Sequence, residues 1–444
     1  MAGPIETYQR RRRALIDAGA YDPSSEHDAC GVGLVAAIDG APRRDIVDMA
    51  ISALKAVWHR GAVAADGKTG DGAGLLVAIP QAFFRAQVER MGRAPLAPDL
   101  CAGMIFLPRT NLSAQDSCRS IVEAEIIRDG FNVYGWRQAP VDPSRLGLRA
   151  ALVRPEIEQI LFCDLRGRKT DELERALYLI RRRIEKRARE AGHQELYVSS
   201  LSARSIIYKG MFLAEEIDRF YADLRDPAFI SSIAIFHQRY STNTFPEWRL
   251  AQPFRMLAHN GEINTLKGNI NWMKSHEIRM ASAVFGDAQD QVKPVIQPGS
   301  SDSAALDQAF ELIVRAGRSG PMAKTLLIPE AWEKQAGVMK EEWRALYAYS
   351  NAVMEPWDGP AAICAFDGRW ALAGVDRNGL RPLRYALTAD GVLAVGSESG
   401  MCPLGGREVV RRGALDPGRM IALDTEENRF YEQAEILDAL ASKH

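Results

Sequence analysis

An α/β (α+β) fold, built as one large unit with insertions, is predicted for this sequence by three observations. Short apolar runs bounded by Gly and Pro read as strands, and stretches with apolar residues at helical spacing lie between many of them. No internal repeat and no low-complexity linker interrupts the chain. At roughly 100 to 200 residues per domain, the 444 residues accommodate two to four domains or one large domain with insertions, so burial of a core is not limiting. The 47% hydrophobic, 25% charged and 8% aromatic content is that of a water-soluble globular protein and excludes a disordered or fibrous chain.

Residues 1–29 are polar and lack sustained periodicity, and the composition changes at Cys30, which opens the run CGVGLVAAI, a buried strand. Over 45–59, Ile46, Met49, Ala50, Ala53, Leu54 and Val57 fall at helical spacing, with Asp48, Ser52 and Lys55 on the opposite face and Gly61 as the stop. The block GDGAGLLVAIP at 70–80 is a tight glycine turn feeding another strand that Pro80 ends. Further strands are expected at 103–107, 158–163, 196–208, 232–236, 361–366 and 369–374. The clearest helix runs from 171 to about 190, with Leu173, Ala176, Leu177, Ile180 and Ile184 as its apolar stripe and RRRIEKRARE as a solvated face. Residues 30 to about 430 read as one unit, and 431–444, ending in LASKH, read as the start of a linker without a clear terminal element.

Fifty-six Lys and Arg against fifty-seven Asp and Glu leave a formal charge of −1, so there is no global field to hold nucleic acid or an anionic membrane. No apolar run approaches the ~18 residues that a transmembrane helix needs, and the first thirty residues lack a signal-peptide core. The arginine run 10–13 stands beside Glu6 and Asp17, which argues for a short polar leader over a transit peptide. Cys30, Cys101, Cys118, Cys163, Cys364 and Cys402 are dispersed, with no C-x-x-C pair, so neither a metal site nor a disulfide framework is expected and a reducing, cytoplasmic compartment fits.

Three groups of residues have the types that chemistry requires. Cys30 reads either as a small core residue heading a strand or as a nucleophile. Cleavage after Ala29 would make it the first residue, and its own α-amine, with an ordinary pKa of about 7.7 to 8.0, would then serve as the base for its thiol. In the block 232–273 a strand runs into the polar cluster His237, Gln238, Arg239, Tyr240, Ser241, Thr242 and Asn243, and a strand end is where α/β scaffolds present binding groups. Twenty residues on, His259, Asn260 and Gly261 set a side-chain amide beside an unobstructed backbone N–H. That pair suits either an oxyanion hole or a type I′ hairpin turn. In QPGSSDSAALDQAF at 297–310, Ser300, Ser301 or Asp302 could cap a helix. Alternatively the Asp302 carboxylate holds a substrate ammonium while Arg239 grips a carboxylate, which together suit an α-amino acid.

Taken in order, CGVGLVAAI, HRGAVAADGKTGDGAGLL, HQRYSTNTFPEW, LAHNGEINTLKGN, QPGSSDSAALDQAFELI, EPWDGPAAICAFDG and VDRNGLRPLRY resemble the glutamine amidotransferase domain of the glutamate synthase large (alpha) chain, of the class II, N-terminal-nucleophile type. The resemblance covers most of 26–430. It implies an αββα four-layer sandwich, with Met1 to Ala29 as a pro-segment removed to expose Cys30. It also implies that Arg239 binds the glutamine α-carboxylate and Asp302 its α-ammonium, that Asn260 and the Gly261 N–H form the oxyanion hole, and that Arg60 lies near the nucleophile.

The resemblance implies L-glutamine as substrate and ammonia passed to 2-oxoglutarate in a synthase region beyond residue 444. Flavin mononucleotide and an iron–sulfur cluster would belong to that region, and a small (beta) flavoprotein subunit would be a partner, with no cofactor on this chain. Rival readings are a class II amidotransferase feeding another acceptor, against which the long insertions between Gly74 and Ser232 and the TNTFPEW block weigh, and an assembly module without catalysis. The joint presence of Cys30, Arg239, Asn260, Gly261 and Asp302 opposes the latter.

Overall fold

The computed structural model describes residues 30–239, 245–335 and 337–443, with residues 10, 13, 14 and 16–18 of the leader. The bond between Ala29 and Cys30 and the polar residues 240–243 lie outside the described residues. The strands in chain order are β1 (Gly31–Ala37), β2 (Thr69–Ala78), β3 (Cys101–Leu107), β4 (Phe131–Gln138), β5 (Glu156–Asp164), β6 (Tyr197–Ser202), β7 (Ser205–Phe212) and β8 (Ile233–Gln238). They continue with β9 (Leu257–Gly261), β10 (Ala361–Phe366), β11 (Trp370–Val375), β12 (Arg384–Thr388), β13 (Val392–Gly396), β14 (Val409–Ala414), β15 (Met420–Asp424) and β16 (Arg429–Tyr431).

β1 is buried along its whole length, which is why it reads as a continuous apolar run and not as an alternating one. It lies inside a seven-stranded sheet of order β14-β12-β13-β1-β8-β2-β7, paired antiparallel with β13 and β8. Its two faces enter two different cores. Val32, Leu34 and Ala36 meet Ala362, Cys364, Ala371 and Ala373 of a second, five-stranded sheet of order β16-β15-β11-β10-β9. Val35 and Ala37 face the other way, against the helix Arg44–Ala56, whose Ile46, Met49, Ala50, Ala53 and Leu54 are buried as their spacing predicts. The outer face of the five-stranded sheet is covered by the helices Asp302–Arg315, Gly320–Leu327, Glu341–Val353 and Gln433–Ala441. Helix, sheet, sheet, helix is the expected αββα sandwich, and its sheets are antiparallel.

A third sheet, β4-β5-β3-β6, is the main insertion, with the helices Leu112–Arg128 and Thr170–Glu190 on one face. It corrects two expectations. The single strand expected at 196–208 is two strands of different sheets, β6 in the insertion and β7 at the edge of the seven-stranded sheet. The Ser202 hydroxyl makes the break by accepting the backbone N–H groups of Arg204 (2.9 Å) and Ser205 (3.1 Å). The basic face of the helix Thr170–Glu190 is not simply solvated. Arg181 donates to Glu185 (2.7 Å) and Glu311 (2.5 Å), Arg182 to Glu185 (2.8 Å) and the Pro294 carbonyl (2.6 Å), and both arginines are buried. A charge run on a helix wedged between two others meets carboxylates where an outer helix would meet water. The segment 431–444 also differs from expectation. It closes β16 and forms the helix Gln433–Ala441, with a capping box between Glu432 and Glu435 and with Ile436, Leu437 and Leu440 buried in the outer core.

β9 is held at both ends. Asp307, buried on the helix Asp302–Arg315, accepts the backbone N–H groups of Met256 (2.9 Å) and Leu257 (3.1 Å) where the strand begins. β9 then pairs with β10, with Asn260 opposite Ala362 and Gly261 opposite Ala361. Because its partner lies a hundred residues downstream, Asn260 and Gly261 are not the centre of a two-residue hairpin.

Candidate active site

Gly31 pairs with Gln238 across the β1 and β8 ladder, and one further step in that register sets Cys30 level with Arg239. The nucleophile candidate and the guanidinium thus stand side by side at one end of two central strands. The Arg239 backbone N–H donates to the Gly72 carbonyl (2.8 Å), which ties it to the glycine-rich first part of β2, where the sequence predicts a turn and the structure has strand with an irregular register between Thr69 and Ala73. Burial lowers the Arg239 pKa from its ordinary value, and Cys30, Asp71, Asp302 and Glu247 oppose that shift through their charges. Four groups from four parts of the sequence therefore act electrostatically on one buried cation.

The two sheets are cross-linked at the same end. His237 Nε2, on β8, lies 3.0 Å from the His259 carbonyl on β9, and Gln252 brackets the same residue, accepting from the His259 N–H (2.8 Å) and donating to its carbonyl (3.3 Å). Burial drives the His237 imidazole down to about 3, so it bridges the sheets as a neutral ring. The bridge fixes β9 against β8, and hence Asn260 against Arg239. The Asn260 side chain is 3% exposed, and its Oδ1 has no hydrogen-bond partner among the described residues. A buried amide oxygen without a partner is rare enough in a folded chain to call for a functional explanation. Gly261 has φ 144°, and a Cβ built on it would lie 1.7 Å from the Pro360 carbonyl oxygen, so the position admits only glycine.

Asp302 opens the helix Asp302–Arg315 but does not cap it. The Ser301 hydroxyl accepts the Ala304 N–H (3.2 Å), and the Asp302 carboxylate reaches back to accept the Ile263 N–H (3.0 Å) just beyond Gly261. Ser301→Ala is expected to destabilise the chain by about 1 kcal/mol, read as a lower urea midpoint with unchanged slope.

Arg60 lies in the 3-10 turn Trp58–Arg60, where its Nε donates to Glu398 (2.5 Å), to which His59 Nε2 is also hydrogen-bonded (3.1 Å). Burial pushes the Glu398 carboxyl up, but the bonds from His59 and Arg60 outweigh it and bring it down to about 2. The neighbouring Ser397 is bonded to the backbone of Val32, two residues from Cys30, and Gly61 packs on Gln238, opposite Gly31. Arg60 is thus placed on the rim of the same cluster, held by a carboxylate to which nothing in the local sequence points. Glu398, Gln252 and Ser303 are the polar residues that sequence reading passes over. The nearest signal for Glu398 is an acid just after a strand, too common to be informative.

Among the described residues no helix is long and apolar enough to cross a membrane. A family model described as glutamine amidotransferases class-II matches residues 30–444. The chain is 54% identical over 440 residues to the glutamate synthase [NADPH] large chain of Azospirillum brasilense, a match covering 99% of this chain and 29% of that one. It is 40% identical to the corresponding chain of Bacillus subtilis (strain 168), covering 99% and 28%. It is 41% identical to the chloroplastic ferredoxin-dependent glutamate synthase 2 of Arabidopsis thaliana, covering 95% and 26%. The chain therefore spans less than a third of the length of these relatives. With the αββα fold and the family match in hand, this chain belongs to the class II glutamine amidotransferases.

Proposed function

We propose that this chain hydrolyses L-glutamine with Cys30 as an N-terminal nucleophile and supplies the ammonia to the synthase region of a longer glutamate synthase. The observation that carries the reading is the register that sets Cys30 beside buried Arg239, with the charge of Asp302 within reach of the same guanidinium. Arg239 and Asp302 hold the α-carboxylate and α-ammonium of glutamine, leaving its carboxamide directed toward Cys30. Arg60, held by Glu398, completes the rim near the nucleophile.

In the reaction the Cys30 thiol gives its proton to the α-amine of the same residue, and the sulfur attacks the carboxamide carbon. The Asn260 amide and the Gly261 N–H stabilise the tetrahedral oxyanion. The resulting α-ammonium protonates the departing nitrogen, ammonia leaves, and a γ-glutamyl thioester remains on Cys30. Water, deprotonated by the same amine, then releases glutamate and regenerates the thiol.

The same reading assigns flavin mononucleotide, an iron–sulfur cluster and the reductive amination of 2-oxoglutarate to the synthase region, and a small (beta) flavoprotein subunit as the electron-supplying partner. The cysteines of this chain stand singly, and among the described residues no group of three or more His, Cys, Asp or Glu is placed to hold a metal ion. No step above passes through either cofactor. Free, dispersed thiols support a cytoplasmic location.

The mechanism requires a free α-amine on Cys30, because an acylated nitrogen has no useful basicity. The family match beginning at residue 30 supports removal of 1–29. The test is the intact mass and N-terminal sequence of the purified protein, followed by a glutaminase assay. Material beginning at Cys30 is expected to turn over glutamine, and material retaining 1–29 is expected to be nearly inactive. Appreciable turnover by the latter would overturn the mechanism.

A further inference from the structure

Asp302 and the oxyanion strand are connected by a second route, through residues to which the reaction as written gives no part. The Ser303 hydroxyl lies 2.8 Å from His259 Nδ1 and donates to Asp302 Oδ1 over a long 3.4 Å. Ser303 and His259 are both buried, and burial keeps the imidazole neutral, opposed by the charge of Asp302. A serine hydroxyl has one proton. If it goes to Asp302, the neutral ring must carry its own proton on Nδ1 and donate it to Ser303, so the tautomer follows from the carboxylate.

His259 is the residue before Asn260, and its main-chain groups are bracketed by Gln252. The other oxygen of Asp302 holds the Ile263 N–H, two residues beyond Gly261. Asp302 is thereby tethered to β9 on both sides of the Asn260 and Gly261 pair, through a serine and a histidine on one side and directly on the other.

We infer that Ser303 and His259 are positioning residues that couple occupancy of Asp302 to the geometry of the oxyanion hole, which rests on the roles proposed above for Asp302 and Asn260. A substrate ammonium at Asp302 competes for the oxygen that Ser303 donates to; the serine hydroxyl then turns to donate to Nδ1, and the ring's own proton passes from Nδ1 to Nε2, on the side of the Pro360 carbonyl next to Gly261. The ring next to Asn260 thus senses whether the amino-acid end of the substrate is seated. The consequence is selectivity: a γ-carboxamide lacking an α-ammonium meets an oxyanion hole that has not been set.

The test compares L-glutamine with glutaramate, which has the same carboxamide but no α-ammonium. Single-turnover assays of the full chain in its active form allow slow substrates to be read. Ser303→Ala is expected to lower kcat for glutamine about tenfold, the loss of roughly one hydrogen bond's coupling, with KM changed less than twofold. Its rate on glutaramate is expected to be unchanged, and Ser303→Thr to restore most of the loss. Nitrogen NMR of the His259 ring is expected to shift when glutamate is added to the parent protein and to stay fixed in Ser303→Ala. Equal losses on both substrates, a loss confined to KM, or no loss would overturn the coupling and leave Asp302 as it stands. If instead Asp302→Asn keeps the parent's preference for glutamine over glutaramate, the ammonium role of Asp302 fails, and the coupling fails with it.

Discussion

Cys30→Ala is expected to abolish glutamine hydrolysis, a fall on the order of 10⁴-fold or more, without loss of the fold. The first half follows from chemistry: without the sulfur there is no thioester, and the remaining groups can only bind substrate and polarise its carbonyl. The second half follows from position. Cys30 precedes β1 and is only partly buried, while the bonds that secure the strand start, between Ser397 and the Val32 backbone, do not involve it. The thermal midpoint is therefore expected to move by no more than about 0.5 kcal/mol equivalent. Glutamate release and thermal denaturation on the same preparation separate the two halves, and survival of the fold with loss of activity also removes the reading as a non-catalytic assembly module. A thiol label gives the same distinction. Cys101, Cys118, Cys163, Cys364 and Cys402 all have pKa values raised by burial, Cys118 to about 11 and Cys402 to about 12. At neutral pH an alkylating reagent should therefore take Cys30 first, and saturating glutamine should slow it.

The parts of this site that were legible in the sequence are those whose local pattern and chemistry agree. Cys30 stands at a change of composition, Arg239 at the end of an apolar strand, and Gly261 beside the Asn260 amide after an apolar run; each is marked by its neighbours in the chain. The supporting residues were not legible, because their meaning lies in pairings far apart in sequence. Glu398 meets Arg60 across 338 positions and Ser303 meets His259 across 44. Arg181 looks like a surface residue in the sequence because helical periodicity shows which face is apolar but not whether a neighbouring helix covers the polar one. The run 196–208 looks like one strand in the sequence because both halves are apolar, and only the hydroxyl of Ser202 marks the turn where the chain passes from one sheet to another. Asp302 shows the converse: the capping motif is there, but the cap is Ser301, which leaves the Asp302 carboxylate to accept the Ile263 N–H just beyond β9.

Asn260→Ala is expected to lower kcat by 10²- to 10³-fold, about 2.7 to 4 kcal/mol of transition-state stabilisation, with little change in KM. The two donors proposed for the oxyanion hole are not equally open to test. The Gly261 N–H belongs to the backbone, and any side chain there would collide with the Pro360 carbonyl in a conformation, φ 144°, that other residues rarely adopt. A Gly261 variant would therefore report on the fold of β9 and not on the missing donor. Asn260 has no such ambiguity. Its backbone pairs with Ala362 whatever the side chain, and its Oδ1 accepts no hydrogen bond among the described residues, so truncation takes away the Nδ2 donor without breaking a bond to that oxygen. If, as proposed, Arg239 and Asp302 hold the α-carboxylate and α-ammonium of glutamine, ground-state binding should be nearly intact, and the loss should fall on the step in which the carbonyl oxygen gains charge. Steady-state kinetics of glutamate release, with the urea midpoint as a control on folding, decide the matter. A variant with normal kcat would place the oxyanion elsewhere, whereas a variant with normal kcat and raised KM would make Asn260 a ligand of the bound substrate.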